Sequence, residues 1–239
     1  VQPKFLIAIP SPRDIISVKQ AIDSIDFIDR LWMKYYRPEY KAYEFIQEFF
    51  LSRKAYTHLI LWPDDLLATR EHIEQLIEDV LEHDYPVIGG ICQIDNDWFY
   101  DKMIISLKAL HPKRDDRFRY FEKFEDYFWH DELRPQYKEK PIIRTMWQGF
   151  PLTCIRRDVL EEIKFRNDSE FNGLPKDAGC CMDDVFCWDC IQNEIQMFTD
   201  LRIRMNHLKI NDNNTRMLFV NKKPEILYDL ASQTMKINK

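Results

Sequence analysis

Over the first 91 residues, short apolar runs alternate with segments of helical period, and each change is marked by proline, charge or a polar cluster. Lys4-Phe5-Leu6-Ile7-Ala8-Ile9 is an apolar run stopped by Pro10-Ser11-Pro12, the pattern of a fully buried strand. A helix is expected over 14–22, a strand over 27–33, and a helix over 40–50 with Tyr43, Ile46, Phe49 and Phe50 on one side. Thr57–Trp62 reads as a strand that runs directly into Pro63-Asp64-Asp65. Thr69 then caps the clearest helix, whose residues Ile73, Leu76, Ile77, Val80 and Leu81 share one stripe. A further strand follows at Val87–Ile91. Strands and helices alternating through short connections predict an open α/β sheet with parallel strands and flanking helices.

The rest of the chain is less regular. Residues 96–140 are charged and aromatic together, with no clean period, and read as an insertion that packs on a domain spanning 1–210. Strand structure is expected over 142–155, interrupted at Gln148-Gly149-Phe150-Pro151, and short helices over 157–163 and 183–195. The second of these aligns Cys187, Trp188, Ile191 and Ile195. Residues 201–207 alternate strictly, placing Ile203, Met205 and His207 on one face. A polar C-terminal tail occupies 211–239. Cys180, Cys181, Cys187 and Cys190 lack the spacing of two zinc-binding pairs, so buried thiols are the expectation.

Composition removes several functions. The five glycines are Gly89, Gly90, Gly149, Gly173 and Gly179, and none begins a GxGxxG or GxxxxGK[ST] pattern. Dinucleotide folds and P-loop enzymes both need glycine where backbone approaches phosphate. The net charge of −6 offers no overall positive field for nucleic acid. No run approaches the ~18 apolar residues of a membrane span. A soluble protein of the cytoplasm is the expectation.

Three features could carry chemistry. Ligands of open α/β sheets bind beyond the carboxyl ends of strands, where Asp64 and Asp65 stand. Adjacent carboxylates repel, and either a divalent cation or a hydrogen-bonding loop relieves them; Pro-Asp-Asp is equally good turn chemistry. Asp183-Asp184 opens a helix and suits an N-terminal cap as well as a general base. His207 reads as a core histidine or as a ligand.

In order along the chain, these segments resemble the GT-A glycosyltransferases, in particular their inverting, family-2-like branch. The resemblance covers roughly residues 4–208. It is carried by Ile7-Ala8-Ile9-Pro10-Ser11, by Thr57–Asp65 at the DxD position, by Gly149–Leu160, and by Asp183-Asp184-Val185-Phe186-Cys187, which is similar to the family's Glu-Asp motif. It implies the GT-A form of the α/β class: one domain, a Rossmann-like open mixed sheet flanked by helices. It also implies transfer of a sugar from a nucleotide-diphosphate sugar, a UDP- or GDP-sugar, to a hydroxyl of a glycan, protein or lipid-linked acceptor, with inversion. Asp65 and His207 would then hold Mn²⁺ or Mg²⁺, and Asp184 or Asp183 would act as the base. Pro10, Ser11, Arg13 and Asp64 would contact the nucleotide donor. Trp147, Gly149 and Phe150 would face a sugar, and 96–140 would shape the acceptor side.

The chain departs from the family pattern at Pro63, which replaces the first Asp of DxD, and at Asp183, where Glu is commoner. The first departure keeps open a second reading, a non-catalytic GT-A-like domain that binds nucleotide or glycan. A metal-dependent phosphohydrolase or nuclease is disfavoured by the acidic charge and by the lack of an ExK or HD arrangement.

Overall fold

Seven consecutive buried residues form β1 (Phe5–Ser11), and a strand buried on both faces belongs inside a sheet. The computed structural model describes residues 2–12, 15–34, 39–97, 102–105, 107–109, 141–166, 182–211 and 214–218. β2 (Asp29–Lys34) and β3 (His58–Leu61) flank β1 and run parallel to it, with Ile7 between Arg30 and Ile60. α1 (Ile16–Asp23) joins β1 to β2, and α2 (Glu39–Ser52) returns the chain past β1 to β3. The winding therefore reverses at β1. That reversal puts the switch point, where such sheets bind ligands, at the carboxyl ends of β1 and β3.

Past β3 come β4 (Leu66–Leu67), α3 (Arg70–His83) and β5 (Val87–Asp97). β6 (Lys102–Ile105) and β7 (Leu107–Ala109) follow, then β8 (Ile142–Gln148), β9 (Thr153–Arg156), α4 (Arg157–Glu162) and α5 (Met182–Gln192). β10 (Met197–Asn211) and β11 (Asn214–Leu218) complete the described elements. The main order is β2-β1-β3-β9-β5-β10-β8-β7. β9 is antiparallel to both its neighbours, β3 and β5, and β8 is antiparallel to β10. The sheet is thus mixed, and the parallel arrangement expected from strand–helix alternation holds for β1, β2, β3, β5 and β10. The described part of 96–140 contributes β6 and β7, and β11 pairs with β10 beyond residue 210.

Each face of the sheet buries its own core. Ile7, Ile9, Ile60, Trp62 and Ile88 meet Ile22 of α1 and Ile73 and Leu76 of α3. Leu6, Ala8, Leu59, Leu61 and Ile155 meet Tyr43, Ile46 and Phe50 of α2 and Phe186 of α5. Gln47 pins α2 to the end of α4: its Nε2 donates to the carbonyls of Leu160 (2.6 Å) and Ile163 (2.7 Å), and its Oε1 accepts from Phe165 N. Arg157 donates to the carbonyls of Phe50, Arg53 and Tyr56, closing the carboxyl end of α2.

Two helices differ from their sequence reading. In α3 the stripe ends before Leu81, which is 57% exposed, and Asp79 is buried instead. In α5 the fully buried residues are Val185, Phe186, Cys187 and Cys190, while Trp188, Ile191 and Ile195 pack half-buried against the same core, Ile195 lying past the helix end at Gln192. Cys187 and Cys190, like Cys92 and Cys154, are buried thiols that form no disulfide, as expected, and burial pushes the Cys154 and Cys190 thiols up.

Gly89 and Gly90 lie inside β5, within the strand expected at Val87–Ile91. They serve packing: a Cβ on Gly90 would sit 2.6 Å from both the carbonyl oxygen and Cγ2 of Ile203, and one on Gly89 would strike Gln148 Oε1 and Thr153 Oγ1. Gly173 and Gly179 lie outside the described residues.

Candidate functional site at the carboxyl ends of β1 and β3

The turn after β3 is tied on every side. Leu66 N donates to the Pro63 carbonyl at 3.2 Å, Trp62 Nε1 donates to the Leu66 carbonyl at 2.9 Å, and Leu208 N donates to the Asp65 carbonyl at 2.7 Å. The two carboxylates are parted by this turn. Asp64 is turned inward, 1% exposed, and its Oδ2 accepts a hydrogen bond from the hydroxyl of Ser11 at 3.1 Å. Asp65 takes the other side, where its Oδ2 lies 3.2 Å from His207 Nε2. Hydrogen bonding with different partners thus relieves the repulsion between adjacent acids.

β10 supplies the histidine. It is longer than the expected 201–207, and His207 lies in its interior, opposite Leu66 of β4 on one side and Leu218 of β11 on the other. Ile203 and Met205 are buried in the core as expected, while His207, next on the same face, keeps 12% of its side chain exposed. It is therefore partnered by Asp65 at the edge of the core.

Of the expected site residues, Ser11, Asp64, Asp65 and His207 are brought together by these bonds, with Pro10 preceding Ser11 in β1. Arg13 lies outside the described residues, as do the side chains of Trp147 and Asp184. Asp183 and Asp184 open α5, as the sequence indicates. Asp183 shares a helical stripe with Phe186, Cys187 and Cys190, and Cys187 Sγ lies 3.5 Å from the Gln148 carbonyl at the end of β8. Gly149 is in the turn that follows.

Phe150 corrects its expectation. Its ring is 2% exposed and packed at 5.3 Å from Phe186, 5.8 Å from Phe165 and 6.1 Å from Tyr43, so its faces are covered by core side chains. Its φ of 51° and that of Leu152, 49°, lie in the left-handed region, which bulky residues adopt only when surrounding packing holds them there.

Several polar residues of the interior escaped the sequence reading. Gln148 and Thr153 are fully buried on the α5 side, and among the described residues both atoms of the Gln148 amide and the Thr153 hydroxyl have no hydrogen-bond partner. Asp79 and Asp200 are buried beside Arg202. For Gln148, Thr153 and Asp200 the available signal was a polar residue among apolar neighbours in a strand. Among the described residues, no group of three or more His, Cys, Asp or Glu side chains converges to hold a metal ion. No described helix is long and apolar enough to cross a membrane. A cavity of about 270 Å³ beside Pro86, Arg156 and Glu194 lies by the amino end of β5, away from this site.

No protein-family profile matches the sequence, and no curated protein matches it. Among solved structures, residues 1–349 of S. aureus TarS are similar with a TM-score of 0.44 at 10% identity, over 83% of this chain and 60% of that one. A197 from STIV is similar with a TM-score of 0.54 at 14% identity, over 92% of this chain and 95% of A197. This second likeness spans nearly the whole of both chains, and with the strand order it shows the fold: a single α/β domain, GT-A-like, with an open mixed sheet flanked by helices.

Proposed function

We propose that the chain is a metal-dependent glycosyltransferase that moves a sugar from a UDP- or GDP-sugar to a hydroxyl of a glycan, protein or lipid-linked acceptor, with inversion. The observation that carries the reading is the meeting of Asp65 and His207 at the carboxyl end of β3, on a GT-A-like sheet. Their donor atoms fit a divalent cation. Adjacent ligands of an octahedral ion with ~2.1 Å bonds are about 3 Å apart, and Asp65 Oδ2 and His207 Nε2 are separated by 3.2 Å. Ions of this type take one or two protein ligands and complete their shell with phosphate oxygens and water, so a three-residue cluster is not required. The imidazole favours Mn²⁺ over Mg²⁺. What the bound ion supplies is neutralisation of charge on the diphosphate leaving group.

The chain's own residues do the rest. Pro10, Ser11 and Arg13 follow or end β1, where the nucleoside would lie, and Asp64 holds the Ser11 hydroxyl in place. Asp184 or Asp183, at the start of α5, takes the proton of the acceptor hydroxyl onto a carboxylate oxygen as that hydroxyl attacks the sugar. Trp147 and Gly149 border the sugar, residues 96–140 shape the acceptor side, and the catalytic domain spans 1–210, to which β11 of the 211–239 segment adds a strand beside His207. Phe150 supports this face from within the core.

One observation favours the non-catalytic alternative. Pro63 supplies no carboxylate, and Asp64 points inward to Ser11, so Asp65 alone represents the DxD acids beside His207. Titration calorimetry with UDP- and GDP-sugars, with and without Mn²⁺, followed by a turnover assay, separates the readings. Metal-dependent donor binding with sugar release supports the enzyme, and donor binding without turnover supports the binding domain.

A further inference from the structure

β10 does not run straight from the sheet to the site. Between Thr199 and Arg204 it takes five steps while its neighbour β5 takes two, from Gly89 to Ile91. The extra residues form a bulge, a device that re-aims a strand. Pairing resumes at Arg204, and three residues later His207 meets Asp65. Gly90 makes room for the bulge, since a side chain there would strike Ile203.

Three side chains hold the bulge in place. Asp200, fully buried, accepts from the backbone N–H of Arg202 at 2.9 Å and from its Nε at 3.0 Å. Arg202 Nη2 lies 2.9 Å from Asp200 Oδ2 and donates to Asp79 Oδ1 on α3 at 2.7 Å. Gln75 Nε2 donates to that same Oδ1 at 3.1 Å, whereas Asp79 Oδ2 is buried with no hydrogen-bond partner among the described residues. Two buried carboxylates against one guanidinium leave an excess negative charge in the interior, which is costly unless a proton is retained. A proton on Asp79 Oδ2 turns that orphaned acceptor into a donor toward Asp200. Burial, then the Asp200 carboxylate, pushes Asp79 up to about 7 against the pull of Arg202. Tyr85, just past α3, also lies beside the pair, with Glu82 near it and His83 against its ring.

We propose that Asp79 and Asp200 share one proton beneath Arg202, and that this clamp is the positioning device that keeps the β10 bulge on the path delivering His207 to Asp65. The role given to His207 as a metal ligand rests on the glycosyltransferase reading; the clamp does not. Asp79 is held above its unfolded value of 3.8, so the folded state binds the extra proton, and the clamp weakens as pH rises from about 4 to about 7.

The test compares the wild-type chain with Asp79→Asn and Asp79→Leu by amide hydrogen exchange of residues 200–208 and of 5–11, at about pH 5.5 and about pH 8. Asparagine mimics the protonated acid at every pH, accepting from Arg202 and donating to Asp200. The Asp79→Asn chain should protect 200–208 better than wild type at both pH values, and its advantage should be at least roughly tenfold larger near pH 8 than near pH 5.5, because wild type loses the retained proton over that interval. The gain at 5–11 should be smaller. Asp79→Leu should lose protection at 200–208 at both pH values, and if it fails to fold the asparagine comparison still decides. Equal protection at both pH values, or an Asp79→Asn loss at both, overturns the shared proton. A gain spread evenly over 5–11 and 200–208, or an unaffected Asp79→Leu, overturns the positioning role. Absence of Mn²⁺ or donor binding in wild type would defeat the proposed function and leave this comparison intact.

Discussion

His207 Nε2 lies 3.2 Å from Asp65 Oδ2 across 142 residues of sequence. The contact follows from backbone pairing: Leu208 N donates to the Asp65 carbonyl, and His207 sits opposite Leu66. Two neighbouring backbone connections therefore fix both side chains before any ligand arrives, as a preorganised site requires.

Asp65→Ala should abolish the metal-dependent part of donor binding while the fold survives, because Asp65 retains some exposure, 18% of its side chain. Calorimetry with a UDP-sugar in Mn²⁺ reads this directly. A donor affinity unchanged from wild type excludes Asp65 as a ligand.

Asp184→Asn should leave donor binding nearly intact and lower turnover by about 10² or more, the usual consequence of losing a general base. Asp183 is the competing candidate, since it lies on the α5 stripe of Phe186 and Cys187, beside the end of β8. If Asp183→Asn produces the loss and Asp184→Asn does not, the base is Asp183.

The legible parts of the fold are those written in local pattern. β1 and β3 are built on the apolar runs Phe5–Ile9 and Leu59–Leu61, and α3 follows its period from Thr69, whose backbone N–H donates to His72 Nδ1 at 3.1 Å. The direction of β9 was not legible, because four residues in a row carry no mark of parallel or antiparallel pairing. The order of motifs pointed to Asp64 and Asp65 together; only the turn decides that one faces Ser11 and the other His207. Phe150 beside Gly149 suits a sugar platform or a core equally well in sequence, and the surrounding rings of Tyr43, Phe165 and Phe186 decide for the core. Asp79 was hidden among acidic helix residues, since its partners Asp200 and Arg202 are over a hundred residues away.

Gly90→Ala should cost about 1–3 kcal/mol, the usual penalty of overpacking, because the added Cβ would lie 2.6 Å from the Ile203 carbonyl oxygen and backbone must move. Gly89→Ala should cost less, since it meets side-chain atoms of Gln148 and Thr153 that can rotate away. Urea unfolding midpoints give the order, and a larger loss for Gly89→Ala contradicts the account of the bulge.

His58 should give the fold an acid-sensitive limb. It is buried on the Phe5 ring at 5.0 Å, its Nε2 has no partner among the described residues, and burial holds it below the usual 6.5. The unfolded chain then binds the proton more readily, so this stability is present above about pH 6.5 and is lost as pH falls through the folded value. His58→Phe keeps the ring stack and should flatten the limb in urea unfolding between about pH 5 and about pH 7. Since Asp79 acts with opposite sign in this range, the comparison is of variant with wild type; parallel slopes contradict the assignment.

The most direct test of the central claim is titration of the wild-type chain with UDP-glucose, UDP-N-acetylglucosamine and GDP-mannose in Mn²⁺ and again in excess chelator. The account predicts saturable heat for at least one donor in Mn²⁺ and its loss on chelation. No binding to any nucleotide sugar in either condition would contradict it.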